Sequence, residues 1–232
     1  MPSFRAVTVT TAGSSANPAI STPTGTTAGD LILVICKWTV SISMTGVPTG
    51  FTIPSGTGAP INPGGGSGVQ YAIWTKVADG TEGATLTFTM GSSGTWTIAA
   101  ATYQDVTNID GTTPLSDSQS YSATSTTTTA IPAMTVGRAS SLAVVLNMYD
   151  TSSATWTPPT SFVERLDSSG FEISDLAESS NTGTLTSTKS GGADICVGFG
   201  VILQPPLPYV PPVPVAGRQY NVNAQQRFGS AC

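Results

Sequence analysis

Residues 19–51 align with residues 130–162 at an offset of 111 without a gap, and ten of the 33 positions are identical. Ala19/Ala130, Ile20/Ile131, Leu31/Leu142, Val34/Val145, Pro48/Pro159 and Phe51/Phe162 are among them. Chance would give roughly two or three in a chain this rich in Thr, Ser and Gly, so a diverged internal repeat is expected. A repeat commits two stretches of chain to one local architecture and narrows the fold to those with internal pseudo-symmetry. The match continues at an offset of 100, where FEISDLAE at 171–178 falls on YAIWTKVA at 71–78. The change of offset means that the second half lacks most of the glycine-rich 54–70 loop.

Both halves read as short strands. Phe4–Thr10 alternates in polarity, while LILVICKW at 31–38 is a continuous apolar run of the kind expected for a buried sandwich strand. Tyr71–Val77, Leu86–Met90 and Trp96–Tyr103 follow, and residues 104–117 read as a polar connection. The second half offers Ala130–Val136, Ser141–Tyr149, 171–178, 182–188 and Asp194–Leu203. No segment combines an N-cap with a 3.6-residue apolar period, so no helix is expected. Short strands separated by turn signals predict an all-β fold, a jelly-roll-like β-sandwich with an internal pseudo-twofold repeat. The half-repeats are placed at about 4–103 and 116–203. About four strands per half are marginal alone, so one core is expected across residues 1–203.

Composition explains how such strands meet solvent. Thr and Ser number 65, whereas 9% of residues are charged and 39% are hydrophobic. Thr is β-branched and packs well on a pleated surface, so hydroxyl groups take the place of Lys and Glu on outer faces. A net charge of −5, with eight scattered Lys and Arg, argues against nucleic acid as a partner. The longest apolar stretches are too short to span a membrane. The start MPSFRAVTVTT does not read as a secretory signal. Cys36 and Cys196 lie in apolar runs and read as buried small hydrophobes. An odd count with Cys232 does not suggest a disulfide framework.

The character changes after Leu203. Residues 204–214, QPPLPYVPPVP, hold six prolines in eleven positions, which favours an extended polyproline-type arm. Residues 215–232 are polar, with isolated Tyr220, Val222 and Phe228. The segment 204–232 reads either as a linker or as an arm lying across a neighbouring subunit, with a reach of up to about 90 Å. On the second reading Pro205, Pro206, Tyr209, Pro211, Pro212, Tyr220 and Phe228 are the expected partner contacts.

Signals for chemistry are sparse. The chain has no His, which removes the commonest general base and most zinc and copper sites. No nucleophile elbow, P-loop or C-x-x-C is present. We expect no catalytic residues, cofactor or metal. The carboxylates Asp105, Asp110, Asp117, Glu164, Asp167, Glu172 and Asp175 would suit glycoside hydrolysis only if paired, and read better as solvated surface charge. Asp105–Asp110 and Asp79–Glu82 are the local acidic stretches considered for calcium, and neither matches an established loop. Trp38, Trp74 and Trp96 lie in strand runs and are expected in the core. Trp156, in SSATWTPPTSF, is expected on an exposed loop, where it is a candidate glycan contact.

The order AGDLILVICKW, PTGFTIP, YAIWTKVADGTEGATLTFT, WTIAAATYQDV and TTPL resembles β-sandwich proteins encoded among phage and prophage structural genes. Those proteins read G-D-L-L-L-V, then P-x-G-[WF], then a W-x-K-x-A strand and a strand ending Y-x-G-V. The resemblance covers about residues 25–203 and departs at Gln104, where the family often has Gly or Arg-Gly. It implies a virion structural protein with other capsid or tail subunits as partners; the absence of a signal fits assembly in the host cytoplasm, and a homo-oligomer is expected. A head decoration or minor capsid protein is favoured by a single domain with an arm. The alternative is a minor tail or fibre protein whose β-sandwich binds carbohydrate for host adhesion.

Overall fold

A computed structural model describes residues 1–57, 60–63, 68–106, 115–150 and 154–206. Every regular element among these residues is a strand. The first half contains β1 (Ser3–Ser15), β2 (Ala19–Ser21), β3 (Leu31–Thr39), β4 (Met44–Gly46), β5 (Val69–Val77), β6 (Thr85–Thr87), β7 (Thr89–Met90) and β8 (Gly94–Gln104). The second contains β9 (Leu115–Thr126), β10 (Thr128–Ile131), β11 (Ser141–Tyr149), β12 (Trp156–Thr157), β13 (Val163–Ser168), β14 (Phe171–Glu178), β15 (Leu185–Lys189) and β16 (Asp194–Leu203).

Two large antiparallel sheets dominate, with strand orders β1-β8-β3-β5 and β13-β14-β11-β16-β9. Smaller sheets β2-β6, β4-β7 and β10-β15-β12 accompany them. In the first large sheet Leu31 lies opposite Val77 and Tyr103. In the second, Leu142 lies opposite Ala177 and Leu203. At the edges, Val7 faces Ala101 and Ser118 faces Val201.

Alternation along the strands assigns their faces. Leu31, Leu33 and Ile35 of β3 join Leu142, Val144 and Leu146 of β11 in one buried cluster, with Tyr71, Tyr103, Phe171 and Phe199. The two large sheets therefore share a core. The intervening residues Ile32, Val34 and Cys36 pack with Ile20, Phe51, Trp74, Leu86 and Phe88 in a second cluster. Ala143, Val145 and Ile202 pack with Ile131, Met134 and Phe162 in a third. Both central strands are thus covered on both faces, which is why they read as unbroken apolar runs. Phe51 and Phe162 enter their clusters from matching turns. The Phe51 amide donates to the Pro48 carbonyl at 3.2 Å, and the Phe162 amide to the Pro159 carbonyl at 3.0 Å.

Polar groups tie the halves together at the margins of the shared core. The buried Lys37 ammonium donates to the carbonyls of Tyr149, at 3.0 Å, and Asp150, at 3.2 Å. Arg165 forks onto Asp175 with two bonds of 2.8 Å, and its guanidinium lies 4.8 Å from the Phe4 ring centre.

The expected strands at Ser141–Tyr149, 171–178 and Asp194–Leu203 are present with those bounds. Cys36 and Cys196 are buried free thiols, and Trp38, Trp74 and Trp96 are core residues, as expected. Several elements differ in their bounds, and the expected Leu86–Met90 strand divides at Phe88 into β6, paired with β2, and β7, paired with β4. The polar connection placed at 104–117 gives way at Leu115 to β9, a long edge strand paired with β16. Ala130–Val136 shortens to β10, which ends at Ile131 before Pro132. β13 forms after the 158–162 turn as an edge strand on β14, with a bulge between Glu164 and Leu166.

Candidate functional site

A cleft of about 370 Å³ lies where the two halves meet beside β5 and β9. Thr52, Ile53, Pro54, Ser55 and Gly56 form one wall with Thr75, while Leu115, Asp117, Ser118 and Gln119 form the other. The first wall is anchored by reciprocal backbone bonds between Thr52 and Thr75, at 2.9 and 2.8 Å. A turn follows, in which the Thr57 hydroxyl donates to the Pro54 carbonyl at 2.8 Å. The Gly56 amide then donates to the Ser118 hydroxyl at 3.0 Å. A Cβ at Gly56 would stand 1.6 Å from the Ser118 carbonyl oxygen, so only glycine permits this approach of the loop to β9.

Asp117 is the acidic group of the cleft, and the fold already meets its charge. One carboxylate oxygen accepts from the Ser118 amide at 2.8 Å and the Gln119 side chain at 3.1 Å. The other accepts from the Thr135 amide at 2.7 Å. The remaining lining is hydroxyl, amide and aliphatic. Such a lining suits an uncharged ligand with carbonyl acceptors and apolar rings.

The chain leaves the second large sheet close by. Leu203 is the last residue of β16 and pairs with Leu142 on one side and Leu115 on the other. The Pro205 carbonyl then accepts from Arg138 at 2.9 Å. Pro205 and Pro206 are half-buried. The other expected arm contacts, Tyr209, Pro211, Pro212, Tyr220 and Phe228, lie outside the described residues, as does Cys232.

The exposure expected for Trp156 is corrected. Trp156 forms β12, pairs with Lys189 and is 4% exposed. Its ring packs against Tyr149 at a centroid distance of 5.8 Å. The sequence placed it in a loop because two residues of strand flanked by Ser, Thr and Pro carry no period. A ring packed this way does not offer a face for stacking a sugar.

Two carboxylates also depart from the expected solvated surface. Asp175 is buried and paired with Arg165. Glu172 is fully buried and accepts from the Asn147 side-chain amide. Asn147 also donates to Ser187 at 2.8 Å and accepts from Thr129 at 2.6 Å. Burial pushes the Glu172 carboxyl up to about 7, opposed by the neighbouring polar side chains of Ser174, Asn147 and Ser187, which favour its charged form. Burial likewise pushes the Lys37 amine down, opposed by Asp150 and Asp194. The sequence signal for Glu172 was a charge inside an otherwise strand-like FEISDLAE. It was missed because a lone alternating strand puts that residue outward.

The acidic turn at Asp79–Glu82 closes on itself. Lys76 reaches Glu82 at 2.8 Å and Asp79 at 3.3 Å, and the Asp79 and Gly80 amides donate to the Glu82 carboxylate. Among the described residues, no group of three or more Cys, Asp or Glu is placed to hold a metal ion. In comparisons with protein-family models, curated proteins and solved structures, no match to this chain is found.

Proposed function

We propose that the protein is a structural component of a bacteriophage virion, a head decoration or minor capsid protein anchored to neighbouring subunits by its C-terminal arm. The observation that carries this reading is the agreement of strand order and register between the two large sheets. β1-β8-β3-β5 and β9-β16-β11-β14 follow the same order, and β13 adds an edge. Residues 111 apart, Leu31 and Leu142, hold the same places in their ladders, opposite partners 100 apart. We read this as duplication of one jelly-roll-like unit, with β2-β6 and β10-β15-β12 as the corresponding outer sheets. The pseudo-twofold repeat then relates two sandwiches back to back, rather than two halves of one jelly roll.

Such a body is a rigid platform with its polar clusters turned inward. A surface of Thr and Ser suits close packing in a lattice, and the phage-like motif order supports the same class. The anchor in this reading is the segment beyond Pro206, just after Pro205, whose carbonyl accepts from Arg138. Extended segments of this kind gain affinity by lying in grooves or along strands of a partner. A chain ending at Pro206 should join assembling particles at reduced occupancy, read by densitometry of purified virions. Full occupancy without residues 207–232 would remove the anchoring role. Absence of the intact protein from purified virions would remove the virion role itself.

A further inference from the structure

We infer that the cleft between residues 52–56 and β9 is the socket for the proline-rich segment of a neighbouring copy of this chain. The inference rests on the arm reading above and names the site that receives it. Residues 204–214 carry no charge and six prolines. A polyproline-type segment leaves its carbonyls without internal hydrogen bonds and presents apolar rings on the same ridge. The cleft matches both needs. Ser55, Ser118 and Gln119 supply hydroxyl and amide groups, and Ile53, Pro54 and Leu115 supply apolar walls. Its one carboxylate, Asp117, is already engaged by three N–H donors, so an uncharged occupant meets no unpaired charge.

The arm reading gives the cleft to a neighbour's arm, and the chain's own exit lies beside it, where Leu203 pairs with the cleft residue Leu115. The cleft residues Asp117, Ser118 and Gln119 pair with Ile202, Val201 and Gly200, behind the point where the chain departs. Beyond Leu203 the chain runs on past the end of β9. Arg138 donates to the Pro205 carbonyl at 2.9 Å, so the last described residues are tied to the loop before β11.

The test compares the full chain, a chain ending at Pro206, and the full chain with Ser55→Trp, which fills the cleft from an exposed loop position. Gln119→Leu serves as a second variant, and near-UV circular dichroism verifies that each is folded. The probe is a synthetic peptide of residues 205–214. The truncated chain should be monomeric and bind the peptide saturably, with affinity falling about tenfold or more on Ser55→Trp. The full chain should associate with rising concentration in sedimentation velocity, and Ser55→Trp should abolish that association. Peptide that fails to bind, or binds Ser55→Trp equally well, overturns the socket. A full chain that stays monomeric and takes peptide only after truncation holds its own arm, which overturns the neighbour assignment. Reduced particle occupancy on truncation with no peptide binding would leave the arm reading standing while the socket falls.

Discussion

The outer core of the first half and that of the second occupy corresponding ladder positions and are filled with opposite chemistry. In the first half Cys36 sits between Ala72 and Ile98, in the same buried cluster as Phe88. In the second Asn147 sits between Glu172 and Gly198, beneath Ser187. Phe88 packs against Trp74 at 5.2 Å and Phe51 at 6.4 Å, an aromatic cluster with no polar requirement. Ser187 instead completes a network in which Asn147 serves Glu172, Ser187 and Thr129. The backbone plan constrains which positions are buried, while the chemistry of filling is decided locally. A polar interior is tolerated only because its groups find one another. It also forces Gly198, where a Cβ would meet the Asn147 oxygen at 2.8 Å.

The largest effect should come from the apolar side of this comparison. Trp74→Ala removes a ring packed between Trp38 and Phe88 and should cost about 3–5 kcal/mol in urea unfolding. A loss under about 1 kcal/mol would mean that the aromatic cluster is not the first half's outer core.

Next is the pH response of the polar side. The folded Glu172 carboxyl lies near 7, above its ordinary 4.5, so the folded state holds its proton more tightly than the unfolded chain. Stability from this group is therefore greatest at low pH and declines as pH rises between about 4.5 and 7, by about 3 kcal/mol in all, then levels off. Glu172→Gln should flatten that decline in thermal melts taken across the window. An unchanged slope would place the titration elsewhere.

Smaller still, Asn147→Ala should cost about 1–3 kcal/mol, because it strips the donor from a buried carboxyl. Gly198→Ala should cost about 1 kcal/mol in the wild type and less when combined with Asn147→Ala, since the close contact is then gone. Additive losses in that double-mutant cycle would deny the coupling between residues 147 and 198.

The sequence made some of this legible and hid the rest for physical reasons. β3, β11 and β16 carry dense apolar residues because the large sheets are covered on both faces, whereas β14 alternates. The Pro48/Pro159 and Phe51/Phe162 identities fall in turns closed by the same Phe-to-Pro backbone bond. β9 was hidden because LSDSQSYSATST fills an edge strand with small hydroxyl residues and gives almost no period. The Asn147–Glu172 network was hidden because no local pattern announces that β15 covers that face. The cleft was legible only as a question. Residues 54–70 stood out as unmatched between the halves, but pairing with β9 is a tertiary fact.

The account holds that two halves with unlike outer cores are made one body by the shared core between their large sheets. Equilibrium urea unfolding reads this directly if each half is followed by its own fluorophore. One variant keeps only Trp156 in the second half, and its counterpart keeps only Trp74 in the first, with the other tryptophans changed to Phe. In each background Phe88→Ala is then compared with its parent. We predict that the two probes report the same midpoint and that Phe88→Ala shifts both equally. A midpoint that moves at Trp74 while staying fixed at Trp156 would contradict the shared core.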